Sequence, residues 1–325
     1  MNTDPFGRTI DYLRISVTDR CNERCLYCMP EGYKGWALKP DHMTADEVVR
    51  AVETAAGLGF RKFRLTGGEP LIRPDLVGIA ERIWNLPGVE SLGLSTNGTR
   101  LADLARPLRQ AGVRSLNVSL DALDDATYQR LTGGRVESVL QGLEAARRKA
   151  SNASSSIPFS CAGRTRPNCR ASWNMPPPMG IRCVSSNSCP FRGKRDGRSP
   201  RFCPSPKPCA CSGGRGDFTP APDTRIGHGP ASYYRHEPTG AVVGFIGALT
   251  KVDFCSACNK LRLTADGKLR PCLGRHGEVD LLPALRSNDL AAARGQFLAC
   301  LSGKPKDHEF NTTYEPGRPM VAIGG

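Results

Sequence analysis

Six cysteines in two groups of three carry the chemistry open to this 325-residue chain. Cys21, Cys25 and Cys28 lie in LRISVTDRCNERCLYCMP, spaced C-x3-C-x2-C. Cys255, Cys258 and Cys272 lie in CSACNKLRLTADGKLRPC, spaced C-x2-C-x13-C. Thiolate is the ligand of iron–sulfur clusters, and three thiolates reach three irons of one 4Fe–4S cube. The fourth iron is then open to a small chelating molecule, which can receive an electron there. Zinc is the alternative at each group, as a knuckle at the first and a ribbon at the second. A closed zinc site takes four protein ligands, and no His or Cys follows the first group nearby to complete one.

Weaker signals surround these groups. Gly67-Gly68-Glu69-Pro70 combines two glycines, which let a ligand approach the backbone, with a carboxylate able to accept from an ammonium. A plain turn is the other reading. Arg14, Arg64, Lys260 and Arg262 are solvated surface charges by default. Cys300 fits neither group and reads as a buried free thiol.

The elements that must position these residues follow from periodicity. Runs 13–18, 62–66, 90–95 and 115–120 read as strands, each ending in small or polar residues, with helical stretches between. The clearest helix starts at Thr44, where T-A-D-E makes a capping box with Glu47, and its apolar face is Val48, Val49, Val52, Ala55 and Ala56. A second closes the chain around 290–301. Strand then helix, repeated, predicts a parallel sheet with right-handed crossovers. The chemically loaded residues sit at strand C-terminal ends, which predicts an α/β barrel or partial barrel.

The C-x3-C-x2-C loop, with Tyr27 before its last cysteine, resembles that of the radical S-adenosylmethionine (SAM) enzymes. Its flanks, together with the second cysteine group and NKLRLTADGKLRPC, are similar to the GTP 3',8-cyclases that open molybdenum cofactor biosynthesis. The resemblance implies a partial (βα)6 TIM-type barrel with a C-terminal cluster-binding extension. It implies two 4Fe–4S clusters, at Cys21/Cys25/Cys28 and at Cys255/Cys258/Cys272, with SAM at the first and the guanine of GTP at the second. Tyr27, Gly68 and Ser119 fall on SAM-binding positions. Arg14, Arg64, Ser95, Lys260 and Arg262 fall on positions that bind GTP; Ser95 stands where the family has Thr, and Lys260 where Arg is common. Gly324-Gly325 also matches, as a tail able to thread into the site. The implied reaction is one-electron cleavage of SAM to methionine and a 5'-deoxyadenosyl radical. Hydrogen abstraction from ribose C3' then leads to attack on guanine C8. An external flavodoxin-like one-electron donor and the next pathway enzyme, cyclic pyranopterin monophosphate synthase, are the implied partners, and a homodimer is admitted.

Composition sets limits on class. The chain has no apolar run of 18 residues, and MNTDPFGRTIDY lacks the features of a signal peptide, so a cytoplasmic protein with no membrane partner is expected. The net charge is +14, yet residues 151–215 hold eleven Lys/Arg against the single acid Asp196. That charge lacks interleaved aromatics, so nucleic acid is not an expected partner. The same stretch holds seven of the 14 cysteines and ten of the 26 prolines. The resulting division is 1–149, the N-terminal part of the barrel; 150–215, an anomalous Pro/Cys/Ser/Arg-rich segment; and 216–325, the second-cluster and substrate region. The anomalous segment shows neither periodicity, so its fifth and sixth βα units are expected to be garbled and poorly packed. It reads as a displaced reading frame. Regrouping codon bases across Ser154–Gly163 permits KLNTVLMRG, and across Gly180–Phe191 permits YPLRFIELMPF. Both look like segments the family has there. They put a substrate-side Lys at Ser155 and a SAM-side Met at Cys189. An inactive metal-binding remnant is the alternative function.

Overall fold

The computed structural model describes residues 2–26, 28–29, 42–151, 159–163 and 181–186. From 218 to 324 it describes all but 224–227, 230, 238–241, 247–252, 311–316 and 319. Tyr27, Gly325, Ser155 and Cys189 therefore lie outside the described residues.

The first strand shows how the sequence builds the architecture. In β1 (Tyr12–Ser16), Leu13 and Ile15 are fully buried on the helix side, while Tyr12, Arg14 and Ser16 alternate onto the other face. The pattern repeats in β2 (Lys62–Thr66), β3 (Ser91–Thr96) and β4 (Ser115–Ser119). Phe63, Leu65, Leu92, Leu94, Leu116 and Val118 join one apolar core. Helices α1 (Ala45–Gly57), α2 (Leu76–Trp84), α3 (Leu101–Gln110), α4 (Asp125–Thr132) and α5 (Val136–Ser151) alternate with the strands. The Thr44 capping box forms: its hydroxyl accepts from Glu47 N at 3.3 Å, and its own N–H donates to Glu47 Oε2 at 2.7 Å. Val48, Val49, Val52, Ala55 and Ala56 are all buried, as the spacing predicts.

Beyond α5 come β5 (Phe159–Gly163), β6 (Ile181–Ser186), β7 (Phe218–Pro220), β8 (Ser232–His236), β9 (Val242–Ile246), β10 (Lys260–Leu263), β11 (Lys268–Arg270) and β12 (Val279–Asp280). Helices α6 (Leu282–Arg286), α7 (Leu290–Ser302) and α8 (Met320–Ile323) follow. The strands form one sheet in the order β12-β11-β10-β1-β2-β3-β4-β5-β6-β9-β8-β7. The run from β10 to β9 is parallel throughout, and antiparallel hairpin strands extend both edges. The result is an open partial barrel of the expected α/β kind. No helix among the described residues is long and apolar enough to cross a membrane.

Neither periodicity marks the anomalous segment, whose fifth and sixth βα units are expected to be garbled, yet β5 pairs with β4 and β6 pairs with β9, both in parallel. The unpaired N–H and C=O groups at the edges of β4 and β9 require partners, and backbone pairing is less sequence-demanding than side-chain packing. Both strands fall inside the two stretches, 154–163 and 180–191, in which the regrouped codons read as family segments.

Gly67 and Gly68 show where the fold tolerates no side chain. A Cβ on Gly67, which sits at φ +148°, would lie 2.3 Å from Thr18 O, and one on Gly68 would lie 2.1 Å from Arg20 O. Gly78, exposed on α2, has nothing within 4 Å of its Cβ position. We expect Gly67→Ala to destabilise the chain by about 1–3 kcal/mol and Gly78→Ala to stabilise it by about 0.5–1 kcal/mol, both read by urea denaturation. Equal effects would contradict this packing.

Candidate active site

The first cysteine loop leaves the C-terminal end of β1 and is held on two sides. The turn after β2 holds its start: Gly68 N donates to Thr18 O at 2.8 Å and Glu69 N to Arg20 O at 2.7 Å. The C-terminal end of α4 holds its middle. Arg24 N donates to Thr132 O at 2.7 Å, Leu26 N to Leu131 O at 3.0 Å, and Tyr128 Oη to Glu23 Oε1 at 2.7 Å. Cys28 N and Met29 N both donate to Cys25 O, a tight turn that brings Cys25 and Cys28 to one side. Glu23 N donates to Cys21 Sγ at 3.4 Å, a contact that favours thiolate character.

The Glu69 carboxylate is not open to a ligand ammonium, contrary to one sequence reading. It is fully buried, and it accepts from Leu71 N, Thr96 Oγ1 and Asn97 N at 2.6–2.9 Å. Burial pushes it up to about 7, against the pull of those hydrogen bonds. Burial first, then the nearby Glu69, Glu23 and Cys28, pushes the Cys21 thiol up to about 12. A thiolate trio beside buried acids suits a cationic guest, because a bound metal deprotonates its thiols outright. The three cysteines therefore fit an iron–sulfur core. Among the described residues no three His, Cys, Asp or Glu side chains converge to hold one metal ion. A cube differs from a single ion in giving each thiolate its own iron.

The second group lies at the opposite end of the same strand pair. Cys255 and Cys258 precede β10, and Cys272 follows β11, so all three stand at the N-terminal edge of β1. Cys258 N donates to Cys255 O at 3.0 Å, and Arg8 Nη1 donates to the same carbonyl at 2.9 Å. Burial raises the Cys255 thiol, with Cys272 and Cys258 adding to it. Burial pushes Cys258 the same way, but Lys304 and Lys260 outweigh it and hold this thiol below its ordinary value.

Between the two groups runs the polar face of the sheet. On one rung Arg64, Arg14 and Arg262 stand abreast on β2, β1 and β10, and Lys260 pairs with Tyr12 one turn of the pleat away. Arg64 donates to Tyr12 Oη at 2.6 Å, Leu94 O at 2.9 Å and Ser115 Oγ at 2.9 Å. It reaches Ser115 because Gly93 lies beneath it, where a Cβ would sit 2.7 Å from the guanidinium carbon. Arg262 donates to Gly324 O, and a Cβ on Gly324 would meet Ser16 and Thr66, so this end of the chain enters the barrel. Burial first, then Arg14, brings Arg262 down to about 9, still protonated at neutrality. Burial pushes the Tyr12 phenol up, yet Arg64, Arg14 and Lys260 together bring it below its ordinary value. Ser95 and Ser119 continue the same face on β3 and β4.

Six of the eight ligand positions suggested by the sequence thus share this face, and Gly68 stands at its end. Tyr12 and Lys304 escaped sequence reading. Tyr12 begins the alternation Tyr12, Arg14, Ser16, which was a usable signal; Lys304 had none, being 46 residues beyond Cys258. Cys300 is buried and free, with its thiol pushed up to about 12 by burial.

A row of cations, Arg64 buried and Arg14, Lys260 and Arg262 partly so, is a site for a polyanion. Inorganic triphosphate should therefore raise the melting temperature of the metal-free chain, by about 2.7 kcal/mol of stability at a hundredfold excess over its dissociation constant. Arg262→Ala should remove about half of that shift or more, because guanidinium–phosphate pairing is bidentate. No shift in the unmutated chain would contradict this assignment.

Comparison with known proteins agrees with this geometry. Residues 15–159 match the Radical SAM superfamily model, and residues 197–310 match Molybdenum Cofactor Synthesis C. The GTP 3',8-cyclase of Rhodopseudomonas palustris is 36% identical over 98% of this chain and 93% of its own length. That of Moorella thermoacetica is 36% identical over 99% of both. Among solved structures, Streptococcus suis SuiB bound to S-adenosylmethionine superposes with a TM-score of 0.56 at 13% identity. It matches 87% of this chain, which spans 65% of the SuiB chain, and shows a shared fold. The chain belongs to the GTP 3',8-cyclase family of the radical SAM superfamily.

Proposed function

We propose that this chain cyclises GTP to (8S)-3',8-cyclo-7,8-dihydroguanosine 5'-triphosphate, the first step of molybdenum cofactor biosynthesis. The observation that carries the reading is the placement of two separate three-thiolate groups at opposite ends of β1 and β10. A partly buried cationic face lies between them. The strand between them spans on the order of 15 Å by its ordinary rise per residue, room for a nucleotide triphosphate.

Cys21, Cys25 and Cys28 would hold a 4Fe–4S cluster that serves SAM, with Gly68, Ser119 and Tyr27 completing the SAM site. Cys255, Cys258 and Cys272 would hold a second cluster, beside the guanine base. Bound there, the first cluster and SAM would supply one-electron chemistry that takes a hydrogen atom from ribose C3', so that C3' can bond to guanine C8; a second electron and a proton then complete the dihydro product. Arg14, Arg64, Lys260 and Arg262 grip the phosphates and ribose, with Ser95 beside them, and Arg suits phosphate by its planar fork. Arg64 already gives three donors to protein acceptors, which fixes its plane. Lys260 offers a point charge where a guanidinium would give two bonds. The buried face excludes water from a radical and orients C3' against C8. A flavodoxin-like donor supplies the electrons, one for SAM cleavage and one for reduction of the cyclised radical, and cyclic pyranopterin monophosphate synthase takes the product. A cytoplasmic setting and a homodimer accord with this role.

A second reading, an inactive metal-binding remnant, draws on the composition of 150–215 and on the two family matches, which stop at 159 and resume at 197. Within the proposal, this segment is a displaced reading frame. The substrate-side Lys and SAM-side Met then stand as Ser155 and Cys189.

Anaerobic reconstitution should load about eight irons per chain, four per cube, and stoichiometric zinc without charge-transfer absorbance would sink the reading. Cys25→Ala should abolish SAM cleavage, whereas Cys258→Ala should spare uncoupled cleavage and stop cyclisation; equal loss in both would refute the division of labour. Coding DNA across codons 150–216 tests the frame. Shifting it by one base and back should give KLN-like and RFIE-like segments and raise GTP turnover. An alternative frame without those segments, or equal turnover before and after the shift, would refute the displacement.

A further inference from the structure

Lys304 follows α7 and is 3% exposed, an unusual burial for an ammonium. Its Nζ donates to Lys260 O at 2.8 Å and to Pro271 O at 2.6 Å. Two of its three donors thus go to backbone carbonyls in the segments that carry Cys258 and Cys272. Those carbonyls are neutral, and the Cys258 sulfur, whose thiolate the ammonium favours, is the neighbour that can carry balancing charge.

The positions of these acceptors matter as much as their number. Lys260 is two residues after Cys258, and Pro271 directly precedes Cys272. One ammonium therefore ties together the two arms of the chain that supply the second cysteine group. Arg8 ties in the third cysteine through Cys255 O; the same Nη1 donates to Lys306 O, Nη2 to Pro305 O, and Nε to the Asp4 carboxylate, which balances its charge. At the first cysteine group Arg24 Nη1 donates to Cys21 O at 3.0 Å, and the buried Glu23 and Glu69 stand beside Cys21.

We propose that Lys304 is a positioning residue of the second iron–sulfur site: it fixes the Cys258 and Cys272 segments relative to each other and sets a permanent positive charge beside the Cys258 sulfur. The inference rests on the proposed function, since it assumes that the group held there is a cluster. Reduction adds negative charge to a cluster, and both a nearby cation and a hydrogen bond to a ligand sulfur stabilise that charge. Lys304 thus raises the potential of the second site and leaves that of the first unaltered.

The test uses the full chain with Cys25→Ala, in which only the second site loads, and reads its potential by redox titration followed by electron paramagnetic resonance. Adding Lys304→Met should lower the reduced-to-oxidised ratio at a fixed potential about tenfold, ~59 mV for one electron. Lys304→Arg, which keeps the charge, should stay near the parent. In the chain with all cysteines, loss of about four of eight irons in Lys304→Met, restored in Lys304→Arg, supports the positioning role equally. An unchanged potential with full loading in Lys304→Met overturns the proposal, and so does loss of both clusters together. If the unmutated chain holds only four irons per protein, the second-site reading itself falls. That outcome is recognisable because it precedes any substitution at Lys304.

Discussion

Three arginines abreast on neighbouring strands impose the main constraint on this molecule. Arg64, Arg14 and Arg262 occupy one rung of a parallel sheet whose strands stand about 4.8 Å apart. At an effective dielectric of about 20, unit charges one or two strands apart repel by roughly 2–3 kcal/mol per pair. Burial adds a desolvation cost to each. Among the described residues, oriented dipoles receive these guanidinium groups. The Tyr12 hydroxyl, the Leu94 and Gly324 carbonyls and the Ser115 hydroxyl all accept from the guanidinium groups. Such acceptors steady the cations without neutralising them, so the face keeps its attraction for phosphate. The cost is met when the chain folds, which leaves less reorganisation to meet when an anion arrives.

The apolar side of the same strands makes this possible. Leu13, Ile15, Phe63, Leu65, Leu92 and Leu94 bury themselves against the helices and fix the strand register. Register in turn fixes which residues share the inner face, because a slip of one would send Arg14 into the core and Leu13 into the site. Gly93 then leaves room for the Arg64 guanidinium to cross to β4. The site is thus a consequence of where the leucines go.

The two cysteine groups differ in their surroundings more than in their own chemistry. The first is packed between the Gly67-Gly68 turn and the end of α4, and burial, followed by the carboxyls beside it, pushes Cys21 up. The second is gathered by Arg8 and Lys304, and cations beside it pull Cys258 down. A cationic guest relieves the first environment most, whereas the second already carries charge that balances a thiolate. Two similar ligand sets in different fields would give the same kind of group different electronic character.

The sequence alone determined the features that depend on neighbours in the chain. The spacing of Cys21, Cys25 and Cys28, the capping box at Thr44, the alternation in β1 to β4 and the apolar stripe of α1 are all local. Each was legible because side-chain direction repeats with a fixed period. The suggested ligands Arg14, Arg64, Lys260 and Arg262 rested on likeness to a family, since a lone Arg in a strand gives no sign of its face-mates. Only the tertiary structure set them on one rung, by pairing β10 with β1 across more than two hundred residues of chain. It alone committed Glu69 to Leu71, Thr96 and Asn97, placed Lys304 between the two arms of the second group, and set Gly324 against Ser16 and Thr66. Composition likewise gave no sign of β5 and β6. Their pairing answers to the open edges of β4 and β9, and an edge exists only once the rest of the sheet has formed.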